Sequence, residues 1–219
     1  MFIGHFGVGF GAKTLAPRVS LGTLFLAAQF ADLLWSALLL TGRESVEIEP
    51  GITRVTPLNF VSYPISHSLL MTCVWALVIG GLFWLAKRRT KDAVVLGLCV
   101  LSHWALDLLV HRPDLPLHPG ESTHLGLGLW NSLPGTLLVE GTIFALGIFL
   151  YLRVTEAKNR AGSIGFWALV CFLSLVYLGN LFGPPPPSVA AIAWVGQLQW
   201  LFVVWAYWVD QNRIVKQKS

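Results

Sequence analysis

Charge is what this chain has least of. Only 12% of its 219 residues are Asp, Glu, Lys or Arg, against 55% hydrophobic, where a soluble domain carries about a quarter charged residues. That shortage excludes a disordered segment, a coiled coil and an ordinary water-soluble enzyme. Cysteine is scarce too. Cys73, Cys99 and Cys171 stand inside apolar runs, read as small packing residues, and their spacing offers neither a disulfide framework nor a cysteine metal site. No P-loop, dinucleotide fingerprint or Gly-x-Ser-x-Gly elbow is present. Neither is a repeat of fixed period or the half-to-half symmetry of many transporters. The net charge of +4 does not point to nucleic acid, because the cations punctuate apolar runs and form no patch with interleaved aromatics.

What is abundant is apolar sequence in long runs, with a mean hydropathy of +0.66. A bilayer core of ~30 Å takes about 20 helical residues to cross. Six runs meet that length: Val19–Leu40, Tyr63–Ala86, Ala93–His111, Leu133–Leu152, Ile164–Phe182 and Val189–Val209. The chain therefore predicts an all-α integral membrane protein, one polytopic domain over 1–219 with about six transmembrane helices. Met1–Ala12 is apolar but short and glycine-rich, and reads as a retained partial or re-entrant helix because it lacks the features of a signal peptide. Pro184–Pro187 predicts a stiff turn between the last two spans.

Lysine and arginine orient the bundle. Lys13, Arg18, Lys87, Arg88, Arg89, Lys91, Arg153, Lys158, Arg160, Arg213, Lys216 and Lys218 fall on one side, and Arg43, Arg54 and Arg112 on the other. This alternation predicts a cytoplasmic C-terminus, with the loops 41–62 and 112–132 outside. The proline- and glycine-rich outer loop His111–Ser132 reads as a shaped lid. Trp84, Trp130, Trp205 and Trp208 lie near span ends, where an interfacial belt would put them.

Against this background, ionisable residues inside the spans stand out, because each is costly in a bilayer. They are Asp32, His67, His103, Asp107 and Glu140, with His5 in the N-terminal segment. Counting ~1.5 Å per residue, the five span residues lie about 6–13 Å below the outer end of their helices, and His5 reaches a similar level. His103 and Asp107 are spaced i, i+4, on one helix face, and His111 continues that stripe. An imidazole and a carboxylate on one face, with His67 and Asp32 at matching depth, suit a divalent metal, zinc first, or manganese or iron. A proton relay in a transporter and a structural polar core are the alternatives. Gln29 and Ser36 share a face with Asp32, either as supports for it or as interhelical hydrogen bonders. Glu140 is a candidate ligand, general base or neutral buried acid. Arg112, close above the cluster, is placed to pair with a phosphate or to snorkel at the membrane edge.

The order of the motifs carries a resemblance. Gly4-His5, Ala31-Asp32, Ser66-His67-Ser68-Leu69-Leu70 and Leu101-Ser102-His103-x-x-x-Asp107 resemble the bacterial membrane-bound metal-dependent hydrolases of the YdjM-like group. That group shows Gly-His or Thr-His, Pro-Asp-Ile-Asp, Arg-Gly-x-Thr-His-Ser and Ser-His-x-x-x-Asp in the same order. The match covers residues 1–112, leaving 113–219 as the outer loop and later helices. The resemblance implies that His5, Asp32, His67, His103 and Asp107 are metal ligands. It also implies distant kinship with all-α zinc phosphoesterases, and residence in the bacterial inner membrane. This chain departs from the pattern: Leu33-Leu34 follow Asp32, Tyr63-Pro64-Ile65 replace the arginine and glycine, and His111-Arg112-Pro113-Asp114 replace a Thr-Pro. A divergent member is expected. The function it implies is hydrolysis of a phosphoester, or another ester, of a membrane lipid or lipid-linked substrate from the outer half of the membrane. Glu140 and Arg112 are its candidate catalytic residues, and a small proton- or metal-ion-coupled transporter using the same cluster is the alternative.

Overall fold

The computed structural model describes residues 1–120 and 123–216. Glu121 and Ser122 of the outer loop, and Lys218 among the orienting cations, lie outside the described residues. The chain is predominantly helical: α1 (Ile3–Gly11), α2 (Leu21–Ala28), α3 (Phe30–Leu40), the single turn α4 (Pro64–His67), α5 (Leu69–Lys87), α6 (Thr90–Val110), α7 (Leu133–Val154), α8 (Arg160–Phe182), α9 (Val189–Gln197) and α10 (Gln199–Gln211). Three short antiparallel ladders accompany them: β1 (Ser45–Ile48) with β2 (Leu58–Ser62), β3 (Leu115–Pro116) with β4 (His124–Leu125), and β5 (Thr155–Ala157) with β6 (Arg213–Val215).

Five helices of 19 to 23 residues, with Val189–Gln211 as one of them, are long and apolar enough to cross a membrane. Their ends are set by local chemistry. The side chains of Ser68, Ser132, Asn159 and Ser188 accept from the backbone N–H three residues on, capping α5, α7, α8 and α9, which satisfies an otherwise orphaned donor. The α5 helix stops where Arg88 turns left-handed, at φ 53°, and α6 starts two residues later.

Two of the expected runs are interrupted. Val19–Leu40 is two helices bent by 59° at Gln29, with no proline or glycine at the break. In an unbroken helix the Ala28 carbonyl would accept from residue 32; here it accepts from the ring of His103 at 2.8 Å. A side chain inserted into the backbone ladder is a sufficient cause of the kink. Likewise Tyr63–Ala86 begins its long helix only at Leu69, because Ser68 is extended (φ −71°, ψ 146°) and sets His67 apart on its own turn.

The N-terminal segment is a nine-residue helix whose Ile3, His5, Phe6 and Phe10 are buried. It packs against α7 through glycine: a Cβ on Gly7 would fall 2.7 Å from the Ile143 carbonyl oxygen, so backbone meets backbone. Gly80 does the same for the α5–α6 hairpin, with the Ala93 carbonyl 2.9 Å from its would-be Cβ. Below His5, Phe6 and Phe10 pack edge-on against Phe25, in an apolar core that includes Phe144, Tyr151 and Phe166. At the far end of α1, the buried Lys13 ammonium meets both Asp210 oxygens at 2.8 and 2.9 Å.

Candidate metal centre

The backbone breaks converge on one polar cluster near the end of α6. His5 comes from α1, Asp32 from the first turn of α3, His67 from the end of α4, and His103 and Asp107 from the last two turns of α6. All five residues that the resemblance implies as ligands thus meet in space. His103 Nε2 lies 3.6 Å from Asp32 Oδ1 and 3.2 Å from Asp107 Oδ2. His67 Nε2 lies 3.5 and 3.7 Å from the same two oxygens. Every one of these side chains is buried except that of Asp32, which is 20% exposed, so Asp32 marks the open side of the cluster.

These spacings fit a cation. Metal–ligand arms of ~2.0–2.2 Å set tetrahedral neighbours about 3.3–3.6 Å apart, and the four measured separations bracket that range. Two groups of donors, His5–His103–Asp107 and Asp32–His67–His103, are compact enough to hold a metal ion.

The imidazoles are oriented for the task. A carbonyl can only accept, so the 2.8 Å contact to Ala28 puts a proton on His103 Nδ1, and in the neutral ring Nε2 is then the lone pair. That Nε2 is buried without a hydrogen-bond partner, and a buried polar atom left so is costly. For His67, the Ser66 hydroxyl donates to Glu44 Oε2 at 2.6 Å, so the 2.7 Å contact between Ser66 Oγ and His67 Nδ1 is a donation from the ring. Its Nε2 is again free to face the carboxylates. Glu44 also accepts from the N–H groups of Ile65 and Ser66, which holds the α4 turn in place. Such outer partners fix a ligand's tautomer and direction.

His5 is placed differently. Its ring stacks on that of His103, centroids 3.7 Å apart and 7° from parallel, and its Nε2 meets Asp107 Oδ1 at 3.1 Å. The Met1 amino group reaches the same oxygen at 2.5 Å. Asp107 therefore turns one oxygen to α1 and the other to His67 and His103.

The two candidate catalytic residues have other partners. Glu140 accepts from the backbone N–H groups of Phe2 at 2.8 Å and Gly4 at 3.4 Å, capping the start of α1, where unpaired donors and a partial positive charge favour a carboxylate. Arg112 donates to Asn59 at 3.0 Å and lies 3.5 Å from Asp114. Its neighbour His111 is the one that turns inward. His111 is buried, with Nδ1 held by Asp114 at 2.9 Å and Tyr63 at 3.3 Å, and Nε2 4.0 Å from Asp107 Oδ2. Trp130, expected in an interfacial belt, is buried and packs on His111 with centroids 4.3 Å apart. Ser36 accepts from Gln197 at 2.7 Å, an interhelical bond rather than a support for Asp32.

Sequence reasoning thus put His111 on the stripe without assigning it to the site, and it missed Glu44, Tyr63 and Asp114. Glu44 carried no sign in the sequence. Comparison with protein-family models, with curated proteins and with solved structures finds no match to this chain.

Proposed function

We propose that this chain is an integral membrane protein and a metal-dependent hydrolase, a divergent relative of the YdjM-like group, cleaving a phosphoester or other ester of a lipid-like substrate. The observation that carries the reading is the convergence of His67 Nε2 and His103 Nε2 on Asp32 and Asp107 at 3.2–3.7 Å, with His103 Nε2 otherwise partnerless. In this reading Asp32, His67 and His103 hold one divalent cation, zinc by its ligand preferences, with Asp107 beside it. His5 steadies Asp107 from behind, and His111 stands at the edge as a further nitrogen donor. When bound, such a cation supplies Lewis-acid activation of an ester oxygen and of water.

The residues around it position. Glu140 anchors the helix that carries His5, and Glu44 with Ser66 aims His67. Asp32, on the open side, is where a substrate ester reaches the cluster. Membrane residence is supported by the five apolar helices and by outward leucines such as Leu77 and Leu138, 77% and 70% exposed, which a soluble surface rarely gathers. The resemblance implies a bacterial inner membrane, and the lysine and arginine distribution supports a cytoplasmic C-terminus with the cluster in the outer half.

Transport would need a continuous polar path to the other face. Between His5 and Lys13 the interior is the Phe6, Phe10, Phe25 and Phe144 packing, which favours the enzyme. The test is elemental analysis of detergent-purified protein. A stoichiometric transition metal in the wild type, lost in His67→Ala and Asp107→Ala, is expected. A wild type without such a metal overturns the proposal.

A further inference from the structure

At the opposite end of α6 from the cluster, two cavities meet at one residue. The first is a groove of about 370 Å³ between α1, α6 and α7, lined by Val8, Gly11, Leu15, Leu98, Cys99 and Leu150 among others, almost all apolar. Its one lining hydroxyl, Thr14, donates to the Gly11 carbonyl at 2.8 Å and asks nothing of an occupant. The second, of about 340 Å³, is lined by Leu15, Pro17, Arg18, Arg89, Thr90, Lys91 and Asp92. Leu15, 54% exposed, lines both. An apolar slot thus continues into a cationic pocket at the end of the bundle that the lysines and arginines assign to the cytoplasm.

We infer that this pair of cavities binds one anionic phospholipid of the cytoplasmic leaflet, headgroup against Arg18 and Lys91 and one acyl chain in the groove. Charge selects the head. Asp92 is engaged by Arg89 at 2.5 Å, so Arg18 and Lys91 carry the excess positive charge, and basic pockets at the cytoplasmic ends of helices favour anionic headgroups. Lining selects the tail. From Gly7 to Leu15 the groove runs about 12 Å along α1, and it offers an occupant almost no polar partner. A single hydrocarbon chain, whose carbons sit ~4 Å from their neighbours, fits. The groove opens sideways past Leu98 and Leu146, 55% and 53% exposed, the route a chain takes from the bilayer. The inference rests on membrane residence and not on the metal cluster, none of whose residues lines either cavity.

The test is photo-cross-linking of the full-length protein in nanodiscs, using phosphatidylglycerol or phosphatidylcholine with a diazirine on one acyl chain, mapped by peptide mass spectrometry. Labelling of the Leu98 and Leu150 peptides is expected to be several-fold higher with phosphatidylglycerol. At Leu201, 61% exposed on another face, the two probes should label equally. Arg18→Ala and Lys91→Ala should each lower the phosphatidylglycerol preference about fivefold. Gly11→Leu should fill the groove, since its Cβ meets nothing closer than Leu150 at 3.5 Å, and displacing about two methylene groups lowers labelling by either probe about tenfold. Equal labelling by the two lipids, indifference to the charge variants, competition by inorganic phosphate, or cross-links between two copies through Leu98 would each overturn the inference. Metal content measured on the same samples keeps this outcome separate from that of the hydrolase proposal.

Discussion

His103 and Asp107, one helical turn apart, hold Nε2 and Oδ2 3.2 Å from each other, and the Ala28 carbonyl on the far side of the ring fixes which nitrogen faces the carboxylate. A helix bend in one element and a spacing of four in another are thus parts of one arrangement. The ring takes the carbonyl, the helix bends where that carbonyl leaves its ladder, and the carbonyl in turn aims Nε2 at the cluster.

Metal occupancy should stabilise the fold, because an ion that binds only the native state adds RT ln(1 + [L]/Kd), about 2.7 kcal/mol at a hundredfold excess over Kd. Chelation is expected to lower the unfolding temperature of the wild type in detergent, and zinc to restore it. In His103→Ala neither treatment should move the transition. An equal response in that variant would place the ion elsewhere.

Ser66→Ala and Glu44→Gln remove no proposed ligand but release the ring of His67. Loss of such an outer partner costs about 10- to 100-fold in metal affinity. Chelator competition measures this directly, and an affinity within a factor of two of wild type would separate the Glu44–Ser66–His67 chain from the metal.

Lys13 and Asp210 tie the first helix to the last at 2.8 Å, with side chains 4% and 18% exposed. Breaking a buried pair leaves a charge uncompensated, so Lys13→Ala should destabilise by about 3 kcal/mol. Lys13→Met combined with Asp210→Leu should recover most of that in the same denaturation assay.

Gly7→Ala should cost about 1–3 kcal/mol, since the added methyl falls 2.7–2.9 Å from the Ile143–Phe144 backbone, and displacing α1 moves His5. Gly141→Ala, with nothing within 4 Å of the new carbon, is the control. It should leave stability unchanged or raise it by up to ~1 kcal/mol.

Orientation can be read by cysteine accessibility in a background with the three native cysteines replaced. Glu47→Cys on β1 and Lys91→Cys at the start of α6, both exposed, should be labelled by an impermeant reagent from opposite sides of the membrane. Labelling from the same side would overturn the arrangement drawn from the lysines and arginines.

Sequence by itself determined the helical architecture, because run length and hydropathy are one-dimensional properties and each apolar stretch carries its own ends, as Ser132 and Pro184 show. It also determined which ionisable residues would meet. His5, Asp32, His67, His103 and Asp107 are conspicuous wherever water is absent, and the i, i+4 step puts two of them on one face before any packing is known. Only the tertiary structure decided how they are held. The break at Gln29 has no local cause, since the group that takes the Ala28 carbonyl comes from 75 residues away. Glu44 looked like a loop charge until the chain returned Ser66 to it 22 residues later. Glu140 accepts from the start of α1, and His111, ahead of its neighbour Arg112, turns toward Asp107. Where a buried carboxylate or imidazole spends its hydrogen bonds depends on which donors are nearest in space, and distance in space is what a linear pattern does not carry.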